Sequence, residues 1–191
     1  MNQLILASSS PRRKQLLQQI GIPFKLRIPD VDESTVKGNS PKDLVEVLAQ
    51  VKGEAVDLNF DEVVLSADTV VSFQGEILTK PTNDQHAFEM LSMLRGKQHT
   101  VHTGVMLRSK QEQIIFSAET IVEFWDVTDE LLWEYIRSGD PLDKAGAYGI
   151  QSQGAVLVKS ISGDYFTVVG LPISLVVKKL EAFDIFPTFS S

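Results

Sequence analysis

A mixed-sheet α/β fold is expected from this chain, and three observations carry the expectation. Segments with apolar residues at helical spacing are interspersed with short Val-, Ile-, Phe- and Thr-rich segments that read as strands. The strand patterns come in runs between helices rather than in strict alternation, which favours a mixed sheet over a doubly wound one. Finally, 191 residues with 43% hydrophobic and 23% charged content are enough to bury roughly 70% of the unfolded surface around a core. No Gly/Ser linker, charge block or repeat interrupts them. A single domain over residues 1–191 is expected, ordered to about Phe186 with a loose tail beyond.

The elements follow in order. A strand is expected at 3–7, before a serine run. Ser10 suits an N-cap, Pro11 the first helical position and Gly21 the stop after "KQLLQQI", so a helix spans 11–20. A strand at 24–28 precedes the acidic "PDVDES". Ser40-Pro41 starts a helix at 41–57, with Leu44, Val47, Leu48, Val51 and Ala55 as its apolar residues. Strands are expected at 62–67, 70–73 and 76–79, the last two joined by a hairpin turning at Gln74-Gly75. A helix at 84–95 leads into long strands at 99–108 and 113–125. Thr128 caps a helix at 129–138. Strands at 155–161 and 165–169, turning at Gly163-Asp164, precede a last helix at 172–183.

Composition narrows the chemistry. With no cysteine, disulfides, thiolate metal sites and cysteine nucleophiles are all excluded. A net charge of −7 argues against broad nucleic-acid binding, which requires a basic face. No apolar run approaches the ~18 residues of a membrane span, and "MNQLILASSS" has no basic segment before a long apolar core. A cytoplasmic protein without membrane or nucleic-acid partners is therefore expected. Any anionic ligand must be held by a local cluster of cations or by a metal.

Arg12 and Arg13 stand in the first turn of the first helix, where the macrodipole is already positive and acidic groups are the usual choice. Either they project into solvent, or they meet an anion at a helix N-terminus that offers free N–H groups. Asp68 interrupts the apolar run "VVLSADTVV". A carboxylate there either caps a turn with Thr69 or is paired or bound to a cation. Asp30, Asp32 and Glu33 form an acidic loop, solvated or able to give a hard cation its one or two carboxylates. Lys52, Lys80 and Lys144 are further cations. Gly146, Gly149 and Gly154 around Tyr148 suggest backbone held close to a ligand or within a tight loop.

P-loop, dinucleotide-binding and nucleophile-elbow motifs are absent. His99 and His102, three apart in a strand, point to opposite faces, and His86 lies in another element, so no zinc site is expected. Ser8, Ser9 and Ser10 have no recognisable base partner.

Taken together, "LILASSSPRRKQLL", "DVDES", "SADTVV", "LTKP", "PLDKAGAYGIQSQG" and "VVGLPIS" resemble the Maf family of nucleoside triphosphate pyrophosphatases, in family order across nearly the whole chain. The resemblance implies a fold akin to the inosine-triphosphate pyrophosphatases: a mixed, elongated, twisted β-sheet flanked by helices, with a cleft between two lobes, in a homodimer. It implies cleavage of a nucleoside triphosphate to monophosphate and pyrophosphate with a divalent cation, Mg²⁺, Mn²⁺ or Co²⁺. Arg12, Thr69 and Gln151 match the specificity positions of the dTTP/UTP group. The similar group acting on 7-methyl-GTP has Trp, Gln and Glu there, and "SDQ" where "ADT" stands here.

On this resemblance Asp68 is the catalytic residue, a general base toward water, and shares the metal with Glu33. Ser8, Arg12, Arg13, Lys52 and Lys80 are the phosphate-binding residues. Modified pyrimidine nucleotides are possible substrates in a house-cleaning role. The family name is tied to inhibition of septum formation, so a nucleotide-binding regulator of cell division without essential turnover is the rival reading.

Overall fold

The computed structural model describes residues 2–189. Seven strands form one mixed sheet: β1 (Gln3–Leu6), β2 (Phe24–Leu26), β3 (Glu62–Phe73), β4 (Glu76–Leu78), β5 (Gln98–Arg108), β6 (Gln113–Phe124) and β7 (Val158–Ser162). The order is β2-β1-β3-β5-β6-β7, with β4 paired to β3. β1 runs parallel to both β2 and β3, whereas β3–β4 and β6–β7 are antiparallel. The helices are α1 (Pro11–Gln19), α2 (Pro41–Glu54), α3 (Asp84–Leu94), α4 (Asp129–Arg137), α5 (Tyr165–Val169) and α6 (Ile173–Leu180). No helix among the described residues is long and apolar enough to cross a membrane.

The chain packs into two compact units. The first comprises residues 1–68, 103–118 and 170–191, and the second residues 69–102 and 119–169. In the first, Ile5, Ala7, Val56 and Val64 form a buried cluster. In the second, Val71, Phe73 and Leu78 pack with Ala87, Leu91 and Leu94 of α3, Leu132 and Ile136 of α4, and Val122 and Phe124 of β6.

The caps read from sequence form as expected. Ser10, Ser40 and Thr128 each accept a hydrogen bond from the backbone N–H three residues on, with Pro11 and Pro41 opening their helices. α1 ends in a Schellman motif: Ile22 N–H donates to the Leu17 carbonyl and Gly21 N–H to that of Gln18, with Gly21 at φ 66°. The hairpin turns where expected, Gln74 and Gly75 both having positive φ.

Four expectations are corrected. The strands at 62–67 and 70–73 are one, β3, because Asp68 finds a cation and the backbone stays extended through it. The segment at 165–169 is helix α5 rather than a strand, since the Asp164 carboxylate accepts from the N–H groups of Phe166 and Thr167 and starts a helix despite the strand-like "YFTVV". Gly163-Asp164 is consequently a strand-to-helix turn. The strand at 155–161 begins only at Val158, after a 3-10 segment at Gln153–Leu157. Helix 41–57 stops at Glu54, where the Arg108 Nη2 caps the Gly53 and Val56 carbonyls at 3.0 and 2.7 Å. Within the tail expected to be loose, Thr188 bonds through its N–H and hydroxyl to the Gly21 carbonyl; Ser190 and Ser191 lie outside the described residues.

The three histidines have separate partners: Tyr148 for His99, Ser72 and Glu119 for His102, and Thr82 for His86. His99 is buried, its ring edge-on to Phe124 and Tyr148. Burial pushes its pKa down to about 4. Between the ordinary value and about 4 the unfolded chain binds a proton that the folded chain refuses, so this contribution is complete at neutral pH and is lost as pH falls. The loss is on the order of 3 kcal/mol. Urea unfolding at pH 7, 5.5 and 4.5 is expected to show falling stability, with a shallower fall in His99→Leu. Equal slopes in the two proteins would assign the acid sensitivity elsewhere.

Candidate functional site

In the first unit, the loop from β1 turns through Ser8 into α1. The buried Ser8 Oγ accepts from Ser10 N–H at 3.2 Å and from Arg13 Nη1 at 3.3 Å, while Arg13 Nε donates to the Gly170 carbonyl at 2.8 Å. Burial pulls the Arg13 pKa down from its ordinary value; the negative charge of Asp68 opposes that shift, the neighbouring Arg12 adds to it, and Glu33 opposes it. Arg12 is half-buried. The two arginines are thus not a simple solvated face.

α2 lies hard against the sheet. A Cβ added at Gly53 would stand 2.7 Å from Ser66 Oγ and 2.9 Å from Met106 Sδ, and one at Gly104 of β5 would stand 2.3 Å from the Val45 carbonyl oxygen. The Ser66 hydroxyl donates to the Ala49 carbonyl at 2.6 Å, tying β3 to the helix. Lys52, one residue before Gly53, therefore reaches Asp68 on β3. Its Nζ is 2.5 Å from Asp68 Oδ1 and 2.9 Å from Glu33 Oε2.

Glu33 comes from a 3-10 turn, Glu33–Thr35, started by Asp32, whose carboxylate accepts from Ser34 N–H and the Ser34 hydroxyl. The acidic loop is thereby divided: Asp32 caps the turn and Glu33 faces Lys52. The Lys52 and Asp68 side chains are 13% and 14% exposed and that of Glu33 48%, so the first two form a largely desolvated pair and the third remains open to a ligand. The two carboxylates meet at the Lys52 ammonium; as hard oxygen donors, two in number, they fit Mg²⁺ or Mn²⁺, which take one or two carboxylates and fill their remaining positions from phosphate and water. Among the described residues, no group of three or more His, Asp or Glu gathers as a metal cage.

Ser8, Arg13, Lys52, Glu33 and Asp68 are thus linked by hydrogen bonds or by charge, and all belong to the first unit.

In the second unit, half-buried Thr69 follows Asp68 on β3. Lys80 is exposed beyond β4, and its segment is fastened to the glycine-rich loop by the Gly146 N–H to the Thr79 carbonyl, at 3.1 Å. Gln151 is exposed. The three glycines answer to a tight loop of protein: a Cβ at Gly146 would meet Val71, one at Gly149 would meet Lys144 and Ser152, and one at Gly154 would meet the Tyr135 hydroxyl. Lys144 is buried, and its three ammonium protons face the Asp140 carbonyl at 2.5 Å, Asp140 Oδ1 at 3.0 Å and Asp143 Oδ1 at 2.6 Å. It has no proton left for a phosphate.

The sequence reading missed Tyr135 and Asp140, whose side chains meet at 2.8 Å. Tyr135 stands on the apolar face of α4 and reads as core; only its hydroxyl, which needs a partner when buried, could have signalled more.

The protein-family model described as Maf-like protein matches residues 3–183. A dTTP/UTP pyrophosphatase of Bacillus cereus (strain G9842) is 48% identical over 186 residues, with 97% of each chain covered. A second, from strain B4264, is 47% identical over 97% of each chain. The solved structure of the Staphylococcus aureus Ham1 protein aligns with a TM-score of 0.54 at 15% identity, covering 95% of this chain and 99% of that one. It bears out the mixed α/β fold.

Arg13→Lys keeps the charge but loses the planar fork that spans Ser8 and the Gly170 carbonyl. A destabilisation of about 1–3 kcal/mol is expected, read as a lowered urea midpoint. An unchanged midpoint would mean that the fork does not hold the loop.

Proposed function

The chain belongs to the Maf-like protein family, and from that premise we propose that it hydrolyses dTTP and UTP to the monophosphate and pyrophosphate. The observation that carries this reading is the clustering of Arg13, Lys52, Glu33 and Asp68 in a chain 48% identical, over 97% of its length, to a protein named dTTP/UTP pyrophosphatase. Relatives named for turnover favour an enzyme over a regulator of septum formation that only binds nucleotide. The match to residues 3–183 runs through both compact units, which supports treating them as one catalytic domain. A house-cleaning role that extends to modified pyrimidine nucleotides, a homodimeric state and a cytoplasmic location belong to the same proposal.

The reaction forms a bond from water oxygen to the α-phosphorus and breaks the bond from that phosphorus to the α–β bridging oxygen. Pyrophosphate leaves with the electron pair. Asp68 orients the water and accepts its proton. Ser8, Arg12, Arg13, Lys52 and Lys80 hold phosphate oxygens, giving the positioning and charge stabilisation on which phosphoryl transfer depends. Glu33 and Asp68 are the residues to hold a divalent cation, whose chemistry when bound is to neutralise phosphate charge and acidify water.

Arg12, Thr69 and Gln151 take the base-reading role. The Thr69 hydroxyl and Gln151 amide can pair with the carbonyl edge of thymine or uracil; a purine leaves some of these groups unpaired, and cytosine reverses one donor and acceptor. The thymine methyl needs only apolar space and is worth roughly 1–3 kcal/mol at most, so dTTP and UTP are handled alike.

Asp68→Asn keeps an acceptor for Lys52 and should fold normally, while kcat for dTTP falls by about 10²–10⁴-fold. Pyrophosphate release with added Mg²⁺ or Mn²⁺ measures it, and near-wild-type turnover removes Asp68 from the mechanism.

The same assay over a panel of nucleoside triphosphates is expected to give kcat/KM for dTTP and UTP well above those for dATP, dGTP and dCTP. Gln151→Glu should lower the pyrimidine values more than the residual purine values. Equal rates across the panel, or an unchanged preference in the variant, would overturn the base-reading assignment; binding without turnover would overturn the enzyme itself.

A further inference from the structure

Gln151 is exposed, and an exposed amide on a free loop reads a base poorly, because its orientation must be fixed at binding. Its backbone is not free. Residues 149–152 form a turn closed by the Ser152 N–H to the Gly149 carbonyl at 3.3 Å, so Gln151 is one of its two central residues. Both corners are fastened to one point. At the first corner, the Gly149 N–H donates to the Tyr135 hydroxyl at 3.2 Å. At the second, the Ser152 hydroxyl lies 2.6 Å from Asp140 Oδ2 and 3.1 Å from the Gly149 carbonyl, and its single proton goes to the nearer carboxylate. Tyr135 donates to that same Oδ2 at 2.8 Å.

The anchor itself is held. Lys144 occupies the other carboxylate oxygen and the backbone carbonyl of Asp140. Burial works to raise the Asp140 pKa, but the hydrogen bonds from Ser152, Lys144 and Tyr135 outweigh it and keep the carboxyl below its usual range. There is also no slack behind the turn: a Cβ at Gly154 would stand 2.7 Å from the Tyr135 hydroxyl and 2.9 Å from Gly149 N.

We propose that Tyr135, Asp140 and Ser152 are positioning residues that fix the 149–152 turn, and through it the Gln151 amide, so that base preference depends on hydroxyl groups that never touch the nucleotide. The inference rests on the reading of Gln151 as a base-contacting residue. A network serving the fold alone would alter stability and leave the ratio between bases unchanged. A positioning network alters that ratio.

Two variants test it. Tyr135→Phe removes the hydroxyl that joins Asp140 to Gly149, and Ser152→Ala removes one oxygen at a half-buried site, which keeps the test open if the first variant does not fold. Steady-state kinetics with dTTP and dGTP are measured on wild type, both variants and Gln151→Glu, alongside thermal unfolding. The expected result is a rise of about tenfold in KM for dTTP, a change in kcat of less than about twofold, and a fall of about tenfold in the dTTP to dGTP ratio of kcat/KM; each tenfold corresponds to the loss of about one oriented hydrogen bond. An unchanged ratio in Tyr135→Phe and Ser152→Ala, with Gln151→Glu altering it, overturns the positioning role and leaves the base-reading assignment standing. No preference in the wild type, or none lost in Gln151→Glu, overturns that assignment and the inference with it.

Discussion

The candidate site depends on how closely α2 lies on the sheet. Gly53 and Gly104 leave no space for a Cβ at the contact, and Ser66 ties β3 to the Ala49 carbonyl. Any larger residue at either glycine would lift the helix, and the first casualty would be Lys52. Its ammonium stands between Asp68 and Glu33 only because the helix axis comes so near. The largely desolvated Lys52–Asp68 pair would be costly if either charge were left alone, so the packing of small residues and the pairing of charges are one requirement met twice.

Most of the fold was legible because it is encoded locally. Ser10-Pro11, Ser40-Pro41 and Thr128 announce helices that start where expected, and Gln74-Gly75 announces its hairpin. The failures have a common cause. "YFTVV" carries strand-like side chains, yet the carboxylate of Asp164 satisfies the first N–H groups of a helix and decides the outcome. Asp68 looked like an interruption because its partner, Lys52, is distant in sequence. At the site, the family resemblance supplied the residues, while their pairing came only with the structure. Tyr135 was hidden for the opposite reason: its ring obeys the helical period of a core residue, and that pattern says nothing of where its hydroxyl points.

The lysines show how little residue type alone conveys. Lys144 is buried with every proton committed to Asp140 and Asp143. Lys52 is shared between two carboxylates, one of them open to solvent. Lys80 stands exposed beyond β4. From sequence all three are cations near a glycine or proline, and only packing separates the one whose protons are all committed from the two proposed to hold phosphate.

In their proposed phosphate-binding role, Arg12 and Arg13 set a limit on how stable this protein can be made without losing its purpose. Positive charge in the first turn of α1 works against the helix by a few tenths to about 1 kcal/mol per residue, and no acidic residue there offsets it. Routine optimisation of helix charges would replace Arg12 first and gain stability. In the proposed phosphate-binding role, the same positive charge is the attraction for a multiply charged anion, so a more robust chain would be a poorer receptor.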